Sequence, residues 1–132
     1  MNEIMSEVRV AVLLPHENKF VSPGLGDPRL FRHENPENNP SGTIAEQIVR
    51  EPSLGLPPMS VLHHLGVIDD VAGYSFRPVT GCEINLRDFT VRKFDIERML
   101  EEGDAMDPTD LALLSIAHNL ARRWTGSIPT VR

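Results

Sequence analysis

The sequence contains a single cysteine, Cys82, and this scarcity excludes several classes of protein. An internal disulfide needs two thiols, and a structural zinc site needs cysteines and histidines clustered at short spacing. Neither pattern occurs here. Cys82 also has no neighbouring base to activate it, so we interpret it as a buried, unreactive thiol. These features predict a protein of the reducing cytoplasm.

Long apolar runs and basic blocks are missing as well. The longest apolar run, Val10 to Leu14, is far shorter than the roughly 20 residues of a membrane span, so neither insertion nor export is expected. The 13 basic residues are dispersed in a chain of net charge −6. Nucleic-acid-binding proteins concentrate Lys and Arg to neutralise phosphates, so we expect no nucleic-acid partner.

The familiar catalytic signatures GxSxG, GxGxxG, the Walker loop and HExxH do not occur. His63 and His64 do not form a metal pair, because successive residues on a strand point to opposite faces. We expect one of these histidines to be packed and the other exposed. Asp69-Asp70 could bind a cation, but a solvated turn is the favoured interpretation of two aspartates before a glycine.

The chain that remains has 132 residues, of which 40% are hydrophobic, and this is typical of one packed domain. We predict a single domain over residues 1–125. It includes a long loop rich in proline and asparagine at 15–42, and a loose tail follows at 126–132.

The hydrophobic patterning predicts an α/β fold. Val8 to Leu14 has apolar residues at consecutive positions, which is typical of a strand buried on both faces. Thr43 to Glu46 has capping-box spacing and predicts a short helix that Pro52 ends. Further strands are predicted at Val61 to Ile68, Phe76 to Ile84 and Phe89 to Phe94.

Two further helices carry clear boundary signals. Asp95 is suited to cap a helix from Ile96 to Glu102 that Gly103 stops. Asp107-Pro108 begins the last helix, because proline at the first helical position loses no hydrogen bond. One face of that helix is apolar and should pack on a sheet; it carries Leu113, Leu114, Ala117, Leu120, Ala121 and Trp124.

The order of features from Ile44 to Arg122 carries a resemblance to a known family. The Arg-Glu pair Arg50-Glu51 is followed by a Gly-Leu pair, Gly55-Leu56, where the chain leaves the predicted helix. A strand with an acidic turn, a long strand and two final helices come after it. This order resembles the Nudix superfamily. The resemblance implies a mixed β-sheet sandwiched between helices, and it implies hydrolysis of nucleoside diphosphates linked to another group, with magnesium or manganese.

The catalytic box of that family is not preserved. With Arg50-Glu51 as the fixed point, the positions of the family's glycine, first glutamate and Glu-Glu pair are occupied by Pro36, Gly42, Leu54 and Gly55. Hard divalent cations need several oxygen ligands, and Glu51 alone does not supply them. Glu46 lies four residues before Arg50, a spacing suited to a surface ion pair. We therefore expect no resident metal or other cofactor.

Two interpretations follow from the resemblance. The first is a domain that lacks the hydrolysis and binds a nucleotide-like ligand or a protein partner, with Arg50 and the Tyr74, Phe76 and Arg77 segment as binding residues. The second is a divergent hydrolase that uses Mg or Mn, with Glu51 as ligand or base. Its substitute ligands would come from a set of carboxylates: Glu34, Glu37, Asp69, Asp70 and Glu83.

A third interpretation sets the resemblance aside and treats the chain as a small interaction module whose long loop is the contact surface. A homodimer stays open under all three. The sequence favours the binding domain over the enzyme, because the acidic positions of the box are lost while the order of scaffold elements is kept.

Overall fold

The computed structural model describes residues 6–14, 17–24, 26–37, 39–49, 60–78, 92–103 and 105–127. Within these ranges the chain forms one six-stranded sheet and three helices. In chain order the elements are β1 (Glu7–Leu14), β2 (Lys19–Ser22), β3 (Phe31–Glu34), α1 (Ser41–Val49), β4 (Ser60–Ile68), β5 (Val71–Pro78), β6 (Arg92–Asp95), α2 (Ile96–Glu102) and α3 (Pro108–Ser127).

Strand β1 is the centre of the sheet, whose order is β4-β5-β1-β2-β6. It runs parallel to β5 from the pair Glu7 and Val71 to the pair Val12 and Phe76. Its other edge pairs antiparallel with β3 in its first half and with β2 in its second half. The sheet is therefore mixed, and the α/β class predicted from the sequence is confirmed.

Alternating side chains of β1 face two different layers, as a strand buried on both faces requires. One layer packs against α1, and its core contains Val8, Val10, Val12, Leu14, Val21, Ile44, Ala45, Ile48, Ala72 and Phe76. The opposite layer packs against α2 and α3, and its core contains Ala11, Leu13, Phe20, Leu30, Val71, Ile96, Met99, Met106, Leu113, Leu114 and Ala117. The sheet is thus sandwiched between helices.

Both predicted boundaries of α2 and the predicted start of α3 are confirmed. The side chain of Asp95 accepts a hydrogen bond from the Arg98 amide at 2.9 Å, and Gly103 closes α2 in the left-handed conformation. The carboxylate of Asp107 accepts from the amides of Thr109 and Asp110 at 3.1 and 3.3 Å. Each aspartate therefore accepts hydrogen bonds from backbone amides that have no partner within the helix. This local role is why Asp95 and Asp107 could be recognised as helix caps in the sequence.

A buried ion network fastens the start of α3 to the sheet. Arg9 lies on β1 and is 8% exposed, and its Nη1 donates to Asp107 and to Asp110, each at 2.7 Å. Arg9 Nε also donates to Glu7. Burial alone would lower the pKa of Arg9, but its hydrogen bonds to these three carboxylates outweigh burial and raise it. The hydrogen bond from Arg9 lowers the pKa of Asp107, against the opposing effect of burial.

Three sequence predictions need correction. The loop predicted at 15–42 contains β2 and β3, whose hydrogen bonds come from pairing with β1 and not from local propensity. Helix α1 begins at Ser41, where the Pro40 carbonyl accepts from Thr43 and Ile44, and not at a Thr43 cap. The final helix extends through Ser127, into the tail predicted to begin at Gly126, because a single glycine weakens a helix without blocking its hydrogen bonds.

Strand β5 also begins earlier than predicted, at Val71 and not at Phe76. The turn before it contains only Asp69 and Asp70, both with positive φ, of 45° and 65°. Two left-handed residues make the tight hairpin turn that matches strand twist, so the following residues are free to pair. The interpretation of Asp69-Asp70 as a solvated turn is confirmed, since both residues are exposed.

Candidate functional site

Tyr74 lies on β5 and faces the α1 layer, where it packs against the core. Its hydroxyl lies 2.7 Å from the hydroxyl of Ser41, the first residue of α1. The strand register places His64 of β4 directly opposite, and the two rings lie 4.9 Å apart between centroids. Tyr74 therefore has two neighbours that position it: the Ser41 hydroxyl, with which it shares a hydrogen bond, and the His64 ring on the neighbouring strand.

His64 is exposed and His63 is partly buried, as the sequence predicted for two successive residues on a strand. Because His64 is paired with Tyr74, it shares the α1 side of the sheet. The exposed imidazole and the half-buried phenol form one continuous ring surface next to the start of α1. We call Ser41, His64 and Tyr74 the ring surface.

Gly42 follows Ser41 in α1, at the position where the family's first glutamate is expected. A Cβ atom placed on Gly42 would lie 3.6 Å from the Tyr74 hydroxyl, an ordinary contact distance. The backbone therefore has room for a side chain beside the ring surface. The only acidic residue between Ser41 and Val49 is Glu46, which is exposed.

Phe76 and Arg77 do not join Tyr74 at one surface. Phe76 is 3% exposed and belongs to the core under α1, so its ring has no open face for a base. Arg77 follows Phe76 and points to the opposite side of the sheet, because side chains alternate along a strand. Burial lowers the pKa of Arg77, and burial and the Arg77 charge both lower the pKa of His63.

The other predicted site residues fall into two groups, one outside the described residues and one within them. Arg50 and Glu51 lie outside the described residues, as do Leu54, Gly55 and Cys82, so their roles stay predictions. Of the substitute metal ligands, Glu34 is on β3, Glu37 follows it, and Asp69-Asp70 form the hairpin turn, whereas Glu83 is not described. Within the described ranges no three His, Cys, Asp or Glu residues are grouped to hold a metal ion.

The sequence proposes Tyr74 as a binding residue but does not indicate Ser41 and His64 as its neighbours. The hydroxyl of Ser41 precedes the helix predicted at Thr43, so it looked like part of the preceding loop. In the sequence, His64 suggests only a possible metal ligand. Its pairing with Tyr74 depends on a strand that begins at Val71, five residues before the predicted start at Phe76.

Comparison with known proteins gives a fold and no sequence relationship. No protein-family model matches the chain, and no curated protein matches it. Among solved structures, 23 chains match its fold. One is a hydrolase of the NUDIX family from Clostridium perfringens, with a TM-score of 0.56, covering 90% of this chain and 99% of that chain. The fold is Nudix-like. The identity to that hydrolase is 11%, which carries no information about activity or ligand.

One further property of the described helices bears on partners. None of them has a stretch long and apolar enough to pass through a lipid bilayer.

Proposed function

We propose that this chain is a Nudix-like domain that binds a nucleotide-like small molecule at the ring surface and does not carry out the family's metal-dependent hydrolysis. The observation that carries the proposal is the pairing of Tyr74 with Ser41 and His64 beside Gly42. An aromatic platform is present where a base could stack, and glycine stands where the first metal-binding carboxylate would be expected.

The platform is suited to stacking because it is already ordered. The 2.7 Å contact with Ser41 fixes the position of the Tyr74 ring. Binding of a ligand that stacks on the ring therefore does not include the entropic cost of ordering that side chain. Stacking of a base on an aromatic side chain contributes about 1–3 kcal/mol. The exposed imidazole of His64 adds nitrogen atoms that can donate to or accept from a base edge.

The argument against hydrolysis comes from the sequence of the box. Gly42 replaces one acid, Leu54 and Gly55 replace a Glu-Glu pair, and Pro52 interrupts the segment that would orient them. Mg²⁺ demands a near-octahedral set of oxygen ligands, so the loss of three carboxylates removes most of its protein ligands. Glu51 is the glutamate expected at its position in the box, but it would be the only one of these carboxylates left to bind the metal ion.

Calorimetry tests the binding proposal, with ADP and ADP-ribose titrated into the full chain. We expect saturable heat, and we expect Tyr74→Leu to weaken binding by about 5- to 150-fold, the equivalent of the stacking energy. Tyr74→Phe keeps the ring and should retain most of the affinity. His33→Ala is the matched control for His64→Ala, because His33 is also an exposed strand histidine but lies on β3, beyond β1. Unchanged affinity in Tyr74→Leu would reject the ring surface as the binding site.

Hydrolysis is tested separately by phosphate release from ADP-ribose, NDP-sugars and coenzyme A with Mg²⁺ or Mn²⁺ supplied. We expect rates equal to a buffer control. Glu46→Gln is the matched control for Glu51→Gln, because it removes a second carboxylate from the same sequence segment. Metal-dependent release that is lost in Glu51→Gln and kept in Glu46→Gln would replace this proposal with the divergent hydrolase.

A further inference from the structure

Two arginines lie together on the opposite layer of the sheet, away from the ring surface. Arg92 begins β6 and Arg29 lies in the connection between β2 and β3. Arg92 stacks on Phe94, whose ring packs with the α2 and α3 layer. The molecule as a whole carries a net charge of −6, so neighbouring cations at one place need a physical explanation.

Ser22 brings the two arginines to the same place. It is the last residue of β2 and is paired with Arg92 in the β2–β6 register. Its hydroxyl accepts a hydrogen bond at 3.0 Å from the backbone amide of Arg29. Ser22 is fully buried, so the backbone at both arginines is attached to the buried end of β2.

The two guanidinium groups converge on Gly24. Arg92 Nε donates to the Gly24 carbonyl at 3.3 Å, and Arg92 Nη2 donates to the carbonyl of Gly26. The Arg29 guanidinium lies against the Cα of Gly24. A Cβ atom placed on Gly24 would be only 2.6 Å from Arg29 Nη2. Gly24 has a φ of 75°, so a residue with a side chain would be strained there as well as crowded.

The charges at this position are not neutralised by the partners that hold them. The side chain of Arg92 is bonded to neutral carbonyl oxygens, and its cation lies 4.8 Å above the Phe94 ring. Across the described ranges, no carboxylate makes an ion pair with Arg29 or Arg92. Two like charges placed close together repel each other, and an anion between them would convert that repulsion into attraction.

We propose that Arg29 and Arg92 form a binding site for a phosphate group. A guanidinium presents a planar fork of N–H donors that matches phosphate oxygens, and two cations match the charge of a phosphate near −2. Arg92 is positioned by its carbonyl bonds and by Phe94, while the exposed Arg29 supplies the more accessible donors. The phosphate is either free inorganic phosphate or part of a small phosphorylated molecule.

Nuclear magnetic resonance of the arginine Nε–Hε groups tests the site directly, at constant ionic strength maintained with chloride. Inorganic phosphate should shift the signals of Arg29 and Arg92 saturably, and Arg29→Gln should weaken its binding at least about fivefold, the loss of one charge-assisted hydrogen bond. Arg29→Gln should fold normally, because the described ranges show no bond from its side chain. Arg98→Gln is the control, since Arg98 is also exposed but lies on α2, where it pairs with Glu102.

Each outcome of this experiment decides the proposal. Shifts that grow linearly with phosphate, or equal weakening by Arg29→Gln and Arg98→Gln, would show non-specific screening and overturn it. Phenyl phosphate distinguishes the two sources: tighter binding than inorganic phosphate assigns a phosphorylated molecule, and weaker binding assigns the free ion. Tyr74→Leu should leave the phosphate response unchanged, so failure at the ring surface and failure here are separate results.

Discussion

The guanidinium of Arg9 and the carboxylate of Asp110 form a buried ion pair, with Nη1 and Oδ1 2.7 Å apart. Asp110 is completely buried, and its second oxygen accepts from the Leu30 amide at 3.1 Å and from Arg32 at 3.3 Å. One carboxylate therefore joins α3 to β1 and to the start of β3. A buried charge with every oxygen satisfied is costly to disturb, because its partners would remain desolvated.

Asp110→Ala is expected to lower the free energy of unfolding by about 3–5 kcal/mol, the usual result of removing one partner of a buried pair. Glu102→Ala is the control, because its ion pair with Arg98 is exposed and should contribute no more than about 0.5 kcal/mol. Urea denaturation of the two variants measures both values. Equal midpoints for Asp110→Ala and wild type would show that the network does not stabilise the fold.

Gly73→Ala tests how closely α3 approaches the sheet. A Cβ on Gly73 would lie 2.2 Å from Cδ2 of Leu113, so either the helix or that side chain must move. Overpacking of this kind costs about 1–3 kcal/mol. In a Leu113→Ala background the obstructing atoms are absent, and the added cost of Gly73→Ala should fall towards zero. Denaturation of the two single variants and the double variant gives the coupling; purely additive effects would contradict the close approach.

The contact between Ser41 and Tyr74 is expected to contribute about 0.5–1.5 kcal/mol to stability, as one hydrogen bond does. A double-mutant cycle with Ser41→Ala and Tyr74→Phe isolates this energy, because each change removes one of the two oxygens and little volume. Each single variant should be destabilised, and the second change should cost little once the first is made. A coupling energy near zero would mean that the two hydroxyls do not interact in solution.

His63 provides a pH test. Burial, and then the nearby charge of Arg77, lower its pKa below the ordinary value of 6.5, so the unfolded state binds its proton more readily. The contribution of the neutral His63 ring to the free energy of unfolding is therefore fully present above pH 6.5. It is lost as the pH falls from 6.5 towards the lower pKa of the folded state. NMR titration of the His63 ring should show the lowered value, and Arg77→Gln should raise it partly while Arg98→Gln leaves it unchanged. A value at or above 6.5 in the wild type would contradict this environment.

The sequence was most informative where structure is set by neighbours along the chain. Asp95 and Asp107 cap helices through bonds to amides two or three residues away, and Gly103 ends α2 through its own backbone conformation. The burial of β1 on both faces was equally predictable. Apolar residues at both odd and even positions of a strand require a packed layer on each face of the sheet. These elements were predicted almost to the residue.

Elements that depend on distant partners were missed. Strands β2 and β3 have four residues each and exist because β1 offers them an edge. The charged Arg9 within an aliphatic strand was a visible signal, but its partner Asp110 is 101 residues away. The candidate site shows the same contrast: the type and position of Tyr74 make it a candidate in the sequence, whereas Ser41 and His64 contact it only through tertiary packing.

The position of β1 has a consequence for how the chain folds as it is synthesised. One edge of β1 can pair early, because β2 and β3 follow within the next residues, but its parallel partner β5 begins 64 positions later, where Val71 meets Glu7. A nascent chain that has emerged only as far as α1 therefore carries an apolar central strand with one open edge. Such non-local closure slows folding and leaves the edge available to other chains. Until β5 has emerged, this edge of β1 lacks its parallel partner and is open to pairing with other chains.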